Sequence, residues 1–107
     1  MNRKVTFYSP GLEEAILQLP SGFLARFLRY AERMEVYGPD LGMPHTRAMG
    51  RGLFELRLQA AEGIARVFYC TVVGQQIVML HQFTKKSEKT PRKELEIARR
   101  RMEEVTT

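Results

Sequence analysis

A histidine, an aromatic ring and three lysines fall within nine residues, in the run His81-Gln82-Phe83-Thr84-Lys85-Lys86-Ser87-Glu88-Lys89. Cations beside a titratable ring suit the binding and polarising of a phosphate, and an aromatic ring suits the stacking of a splayed base. Arg57 and Arg66 stand upstream in β-rich stretches whose alternation puts them on the same sheet face as His81, Phe83 and Lys85. Such a set could cleave RNA without a metal. That reaction needs the 2′-OH deprotonated, the phosphorane's negative charge stabilised and the leaving 5′-oxygen protonated. Each residue also has a plain structural alternative: a strand histidine held by one hydrogen bond, or Arg57 paired with Glu55.

The elements that must position these groups are legible around them. Ile77-Val78-Met79-Leu80 is rich in strand formers, and Thr90-Pro91 supplies an N-cap followed by proline at the first helical position, where its missing N–H costs nothing. The cations therefore belong at a strand-to-helix corner. Leu53–Gln59 alternates, with Phe54, Leu56 and Leu58 on one face and Glu55, Arg57 and Gln59 on the other. A turn near Ala60–Gly63 leads into Ile64–Val73, and Gly74 turns the chain into Gln76–Phe83. Short connections make these three strands an antiparallel meander. Val67, Tyr69, Val78 and Leu80 are expected to join Leu56 under the helices. Arg57, Arg66, Phe68, His81, Phe83 and Lys85 are then left on an uncovered face.

Upstream, Val5–Tyr8 reads as an edge strand and Leu12–Leu19 as a short helix ended by Pro20. Ser21 can cap a longer helix with Phe23, Phe27, Tyr30 and Met34 at three- and four-residue spacing, closed by Gly38-Pro39. Residues 38–52 hold four glycines and two prolines without periodicity and read as a long irregular loop, of a kind that often carries function. A last helix, from Pro91 to about Val105, buries Leu95, Ala98, Met102 and Val105. The fold class is α/β (α+β): one domain over 1–107, with two N-terminal helices, an antiparallel sheet of three to four strands and a C-terminal helix.

A chain of 107 residues, 44% hydrophobic and 27% charged, is ordinary for one soluble domain. Its apolar runs are too short for a membrane span, and no signal-peptide pattern follows Met1, so the cytoplasm is the expected location. A lone Cys70 and two histidines far apart in sequence offer neither an internal disulfide nor a metal-ligand cluster, so no metal and no cofactor is expected. Paired carboxylates of the glycosidase kind, a P-loop and a serine–histidine arrangement are likewise missing. The net charge is +5, and the segment Lys85–Arg101 carries an equal excess, eight basic residues against three glutamates. A local basic face calls for an anionic partner, nucleic acid or an acidic protein segment; its plain alternative is a solvated helix with Glu96–Arg100 pairing.

Five segments resemble, in order and spacing, the phage Gp49-like (HigB) branch of the RelE/ParE toxin superfamily: Gly42-Met43-Pro44-His45, Gly52-Leu53-Phe54-Glu55-Leu56-Arg57, Arg66-Val67-Phe68-Tyr69, Leu80-His81-Gln82-Phe83-Thr84-Lys85-Lys86 and Lys89-Thr90-Pro91. With the basic helix Arg92–Arg101 the resemblance spans roughly residues 40–105. It implies a RelE-like microbial RNase fold and the toxin of a type II toxin–antitoxin pair. Such a toxin is a ribosome-dependent mRNA endoribonuclease (an mRNA interferase), neutralised by a cognate helix-turn-helix, HigA-like antitoxin. By position Arg57, Arg66 and Lys86 match basic residues that the superfamily directs at the scissile phosphate. His45 falls near a loop position where one relative places a general-base glutamate. His45 or His81 would then move protons, Phe83 would stack or shape the site, and Lys85, Lys89, Arg92, Arg99 and Arg100 would engage RNA. The chain departs from its relatives in having no tyrosine after Lys86 and in carrying Glu55 where others carry lysine. Within the superfamily the rival is a ParE-like DNA gyrase inhibitor acting by binding alone; outside it, a non-catalytic nucleic-acid-binding module.

Overall fold

The computed structural model describes residues 3–72, 75–85 and 89–106. Eight elements follow in order: β1 (Lys4–Phe7), α1 (Pro10–Leu17), α2 (Ser21–Tyr37), β2 (Thr46–Gly50), β3 (Leu53–Ala60), β4 (Gly63–Val72), β5 (Gln76–Lys85) and α3 (Arg92–Thr106). The meander β3–β4–β5 is antiparallel as expected, but the sheet is larger than three to four strands and is mixed. Its order is β1-β5-β4-β3-β2, and β1 lies parallel to β5. Gly74, expected to mark the turn before β5, is outside the described residues.

Local chemistry accounts for the helix ends. Ser9 is extended, and its hydroxyl accepts from the Leu12 amide at 3.1 Å, with Pro10 opening α1. Ser21 does not cap α2. Instead the Glu62 carboxylate, from the β3–β4 turn, accepts from the Gly22 amide at 3.0 Å and places negative charge at the helix N-terminus. A Cβ at residue 22 would sit 2.3 Å from that carboxylate, so a larger residue would push the exposed Glu62 side chain aside. Gly38 ends α2 at φ 106° and returns its amide to the Met34 carbonyl at 2.9 Å.

The segment read as an irregular loop contains β2. Thr46 is buried, and its hydroxyl donates to Asp40 at 3.0 Å and accepts from the Gly42 amide at 2.9 Å. The Tyr69 hydroxyl holds the Pro39 carbonyl at 2.5 Å. These bonds fold residues 39–46 back onto the sheet, so that β2 can pair with β3, Thr46 opposite Leu56 and Arg47 opposite Glu55. Positive φ at Gly50, Arg51 and Gly52 then turns the chain tightly into β3.

Helices cover both sheet faces, which corrects the expectation of one uncovered face. Helices α1 and α2 bury Leu12, Ile16, Phe23, Phe27 and Met34 against Leu56, Leu58, Val67, Tyr69, Ile77 and Met79. Helix α3 sits on the other face, with Ala98 buried and Leu95, Met102 and Val105 packed over Leu53, Phe68, Cys70, Val78, Leu80 and Phe83. The inner stripe of α3 is the expected one; its location is not. Each fully buried Leu or Phe contributes about 1.5–3 kcal/mol, so the second cluster is a working half of the core. Val78 and Leu80 belong there, not with Leu56, because the register shifts between Phe68 and Tyr69: Phe68 faces His81, Tyr69 faces Met79, and Leu80 is the extra residue of a bulge. Arg101 ties α3 across the sheet edge, donating to the Leu80 carbonyl at 2.8 Å and lying 4.6 Å over the Tyr8 ring, whose hydroxyl bonds Glu104. Among the described residues no helix is long and apolar enough to cross a membrane.

Candidate active site

Two adjacent rungs of the sheet build the site on the α3 face. The first joins Arg47, Glu55, Phe68 and His81 across β2, β3, β4 and β5; the second joins Arg57, Arg66 and Phe83 across β3, β4 and β5. Residues two apart along a strand share a face, so both rungs look toward the N-terminal turn of α3. Lys85 follows one rung further, opposite Ile64.

At the centre His81 Nε2 lies 2.8 Å from Glu94 Oε1, with 15% of the histidine and 23% of the glutamate side chain exposed. The carboxylate comes from the first turn of α3, so helix docking assembles the pair. The His81 ring stacks on Phe83 at 6.2 Å, and Phe83 stacks on Phe68 at 5.6 Å. A wall of rings thus fixes the imidazole plane while its edge stays in reach of solvent. Carboxylate-paired histidine in a partly open setting can exchange protons with a bound group.

Arg66 lies on the expected face but is not open. Its side chain is 2% exposed, and its guanidinium meets Glu55 at 2.8 Å, with Glu55 wholly buried. The second Glu55 oxygen accepts from the Thr90 hydroxyl at 3.2 Å. Arg66 Nε is buried with no partner among the described residues. The expectation of two solvent-facing arginines is therefore corrected to one, Arg57, which is half-buried. The cause is Glu55, which sits diagonally across from Arg66 on the neighbouring strand and holds its guanidinium in an ion pair beneath α3.

The two histidines are not brought together. The His45 carbonyl accepts from the Arg57 amide at 2.8 Å, but its ring turns to the α2 side and packs 4.8 Å from Tyr30. Lys89 and Arg92 are exposed near the start of α3, and Arg92 makes a loose pair with Glu96 at 3.6 Å. Arg100 is exposed. Arg99 is not a free cation, because it donates to the Met49 carbonyl at 2.9 Å and the Gly50 carbonyl at 3.3 Å. The Lys85 side chain and the whole of Lys86 lie outside the described residues.

Three members of the site went unread in the sequence. Glu94 is 13 residues from His81, on a helix whose docking face no local pattern gives. Arg47 sits on β2, in a segment whose sequence reads as loop. Thr90 reads in the sequence only as a cap, though its hydroxyl reaches Glu55. Among the described residues no group of three or more His, Cys, Asp or Glu side chains converges as a metal ion needs.

The profile described as "Phage derived protein Gp49-like (DUF891)" matches residues 14–103, from α1 to the last turns of α3, and so includes every site residue named above. The chain belongs to that family. The Gp49-like family is one of RelE/HigB-like toxins, which places this chain with the toxin modules of toxin–antitoxin pairs and points to an antitoxin as partner. A comparison with curated proteins finds no match.

Proposed function

We propose that this Gp49-like protein is the endoribonuclease toxin of its pair, cutting mRNA on the ribosome with protein groups alone and held in check by a helix-turn-helix antitoxin. The observation that carries this reading is the His81–Glu94 pair at 2.8 Å, one rung from Arg57 and Arg66 on the same sheet face. A surface that only binds a protein has no need of a proton-transfer pair beside cations.

In this reading His81 donates Nε2–H to Glu94, which leaves the lone pair on Nδ1 to take the 2′-OH proton. Glu94 orients the ring and stabilises the imidazolium as it forms. Arg57 stabilises the phosphorane, and a fixed donor at developing charge is worth on the order of 10²–10³ in rate. Lys85, Lys86 and Lys89, which fall in the sequence between Thr84 and the start of α3, would neutralise the flanking backbone, one of their ammonium groups giving a proton to the leaving 5′-oxygen. Phe83 shapes the floor, and Arg66 with Glu55 holds that floor rigid beneath Arg57. His45, on the other side of the sheet, is not assigned the chemistry.

The test is induced expression without an antitoxin, followed by pulse-labelled protein synthesis and by primer extension on abundant mRNAs. Loss of synthesis with new mRNA ends, abolished by His81→Ala, is the expected result. Arrested DNA synthesis with intact mRNA would overturn it in favour of gyrase binding.

A further inference from the structure

On the side of the sheet away from His81, α2 and the turn before β2 form an open cleft of about 260 Å³ lined by Arg29, Tyr30, Arg33 and His45. We propose that this cleft is a second RNA site, which grips the phosphate backbone of a folded RNA while the α3 face handles the strand to be cut. The inference deepens the endoribonuclease reading by naming a contact on the opposite face.

The lining is cationic and aromatic, without a carboxylate or an aliphatic side chain. Arg29 and Arg33 are exposed, and among the described residues neither makes an ion pair with a carboxylate. They stand one helical turn apart, so their Cβ atoms are about 5–6 Å from each other, comparable to neighbouring phosphates along a nucleic-acid strand. Arg26, exposed one turn earlier, extends the row. The Arg33 guanidinium lies 5.5 Å from the Tyr37 ring centroid, which limits its freedom and leaves its edge for an anion.

The floor of the cleft is already built. Tyr30 and His45 rings meet at 4.8 Å, the His45 amide donates to the Gly42 carbonyl at 3.0 Å, and its carbonyl accepts from Arg57 at 2.8 Å. A preformed cationic slot binds an anion without first ordering itself. A regular line of arginines beside ring edges suits a repeating phosphate chain. The exposed row Arg26, Arg29 and Arg33 repeats a cation at each turn of α2, which favours a phosphate backbone over an acidic protein segment.

The measurement is fluorescence anisotropy of a labelled RNA stem-loop across a potassium chloride series, with His81→Ala as the background so that no cleavage intervenes. Adding Arg29→Ala/Arg33→Ala should weaken binding by about tenfold or more. The log–log salt slope should fall by about 1.4–1.8, as for two phosphates no longer neutralised. Arg29→Lys/Arg33→Lys should restore most of the slope. Affinity and slope unchanged in the alanine variant would overturn the proposal. So would loss of binding to a polyglutamate peptide with RNA binding intact, which would make the cleft a protein-docking site. Because the readout is binding, the result stands whether or not the wild-type protein cleaves mRNA.

Discussion

Arg66 and Glu55 form an ion pair at 2.8 Å, their side chains 2% and 0% exposed, at the centre of the face that carries His81. Taking two charges out of water is costly, and their attraction offsets that cost only while both are present. Nothing about an arginine on a strand announces that it will be closed in. What closes it in is the cross-strand neighbourhood of Glu55, the Thr90 hydroxyl on the other carboxylate oxygen, and α3 laid over the same face.

Removing one partner of this pair should therefore unfold the site rather than only silence it. Arg66→Ala is expected to cost about 3–5 kcal/mol, since it leaves Glu55 buried and alone. Glu55→Gln/Arg66→Met, which removes both charges and keeps the volume, should come much closer to the parent. Urea denaturation of the two variants decides it. Equal, small losses would mean that the pair is hydrated in solution.

His81 and Glu94 should separate into unequal roles. His81→Ala is expected to lower the single-turnover rate on programmed ribosomes by roughly 10²–10⁴. Glu94→Ala should lower it less, since the imidazole survives without its orienting carboxylate. Half-saturation should change little in either, because neither residue is placed as a phosphate anchor. A defect confined to half-saturation would turn the pair into a binding element.

The sequence carried the strands of the meander, the helix stripes and the pairing of Arg57 with Arg66 on one face, because alternation and helical spacing are local signals; His81 and Phe83 share that face only through the bulge at Leu80. It did not carry which sheet face α3 would choose. Leu95, Ala98, Met102 and Val105 form a stripe that fits either face, and only the bulge at Leu80, invisible in composition, turns Val78 and Leu80 toward it. Thr46–Gly50 lacks alternation and became a strand through the Asp40, Gly42 and Tyr69 contacts that fold it back. Arg99 looked like a solvent-facing cation for the same reason: its acceptors are the carbonyls of that unread strand.

Arg99 should accordingly act on order before it acts on RNA. Arg99→Ala removes both bonds to the end of β2, and one hydrogen bond is worth about 1 kcal/mol net. Amide exchange over 46–52 is expected to quicken, while amides in the β4–β5 ladder keep their protection. Arg100→Ala, at an exposed position with no such acceptor among the described residues, should leave exchange unchanged. Identical exchange in both variants would return Arg99 to the solvated helix face.

The last expectation concerns alkali. Burial beneath α3 pushes the Cys70 thiol from its ordinary value of 9.0 up to about 11, and burial also raises the Tyr69 hydroxyl, which is bonded to the Pro39 carbonyl. Both groups are held neutral in the folded chain and ionise more readily once unfolded. The unfolded state therefore binds fewer protons above pH 9, and stability falls as pH rises. For Cys70 the contribution is intact below about pH 9 and is lost between there and about pH 11. Melting temperatures across that interval should drop for the parent and drop less for Cys70→Ala, which has no thiol to ionise. Parallel slopes would show that the thiol already meets water, and that α3 is more loosely seated on Phe68 and Cys70 than its packing indicates.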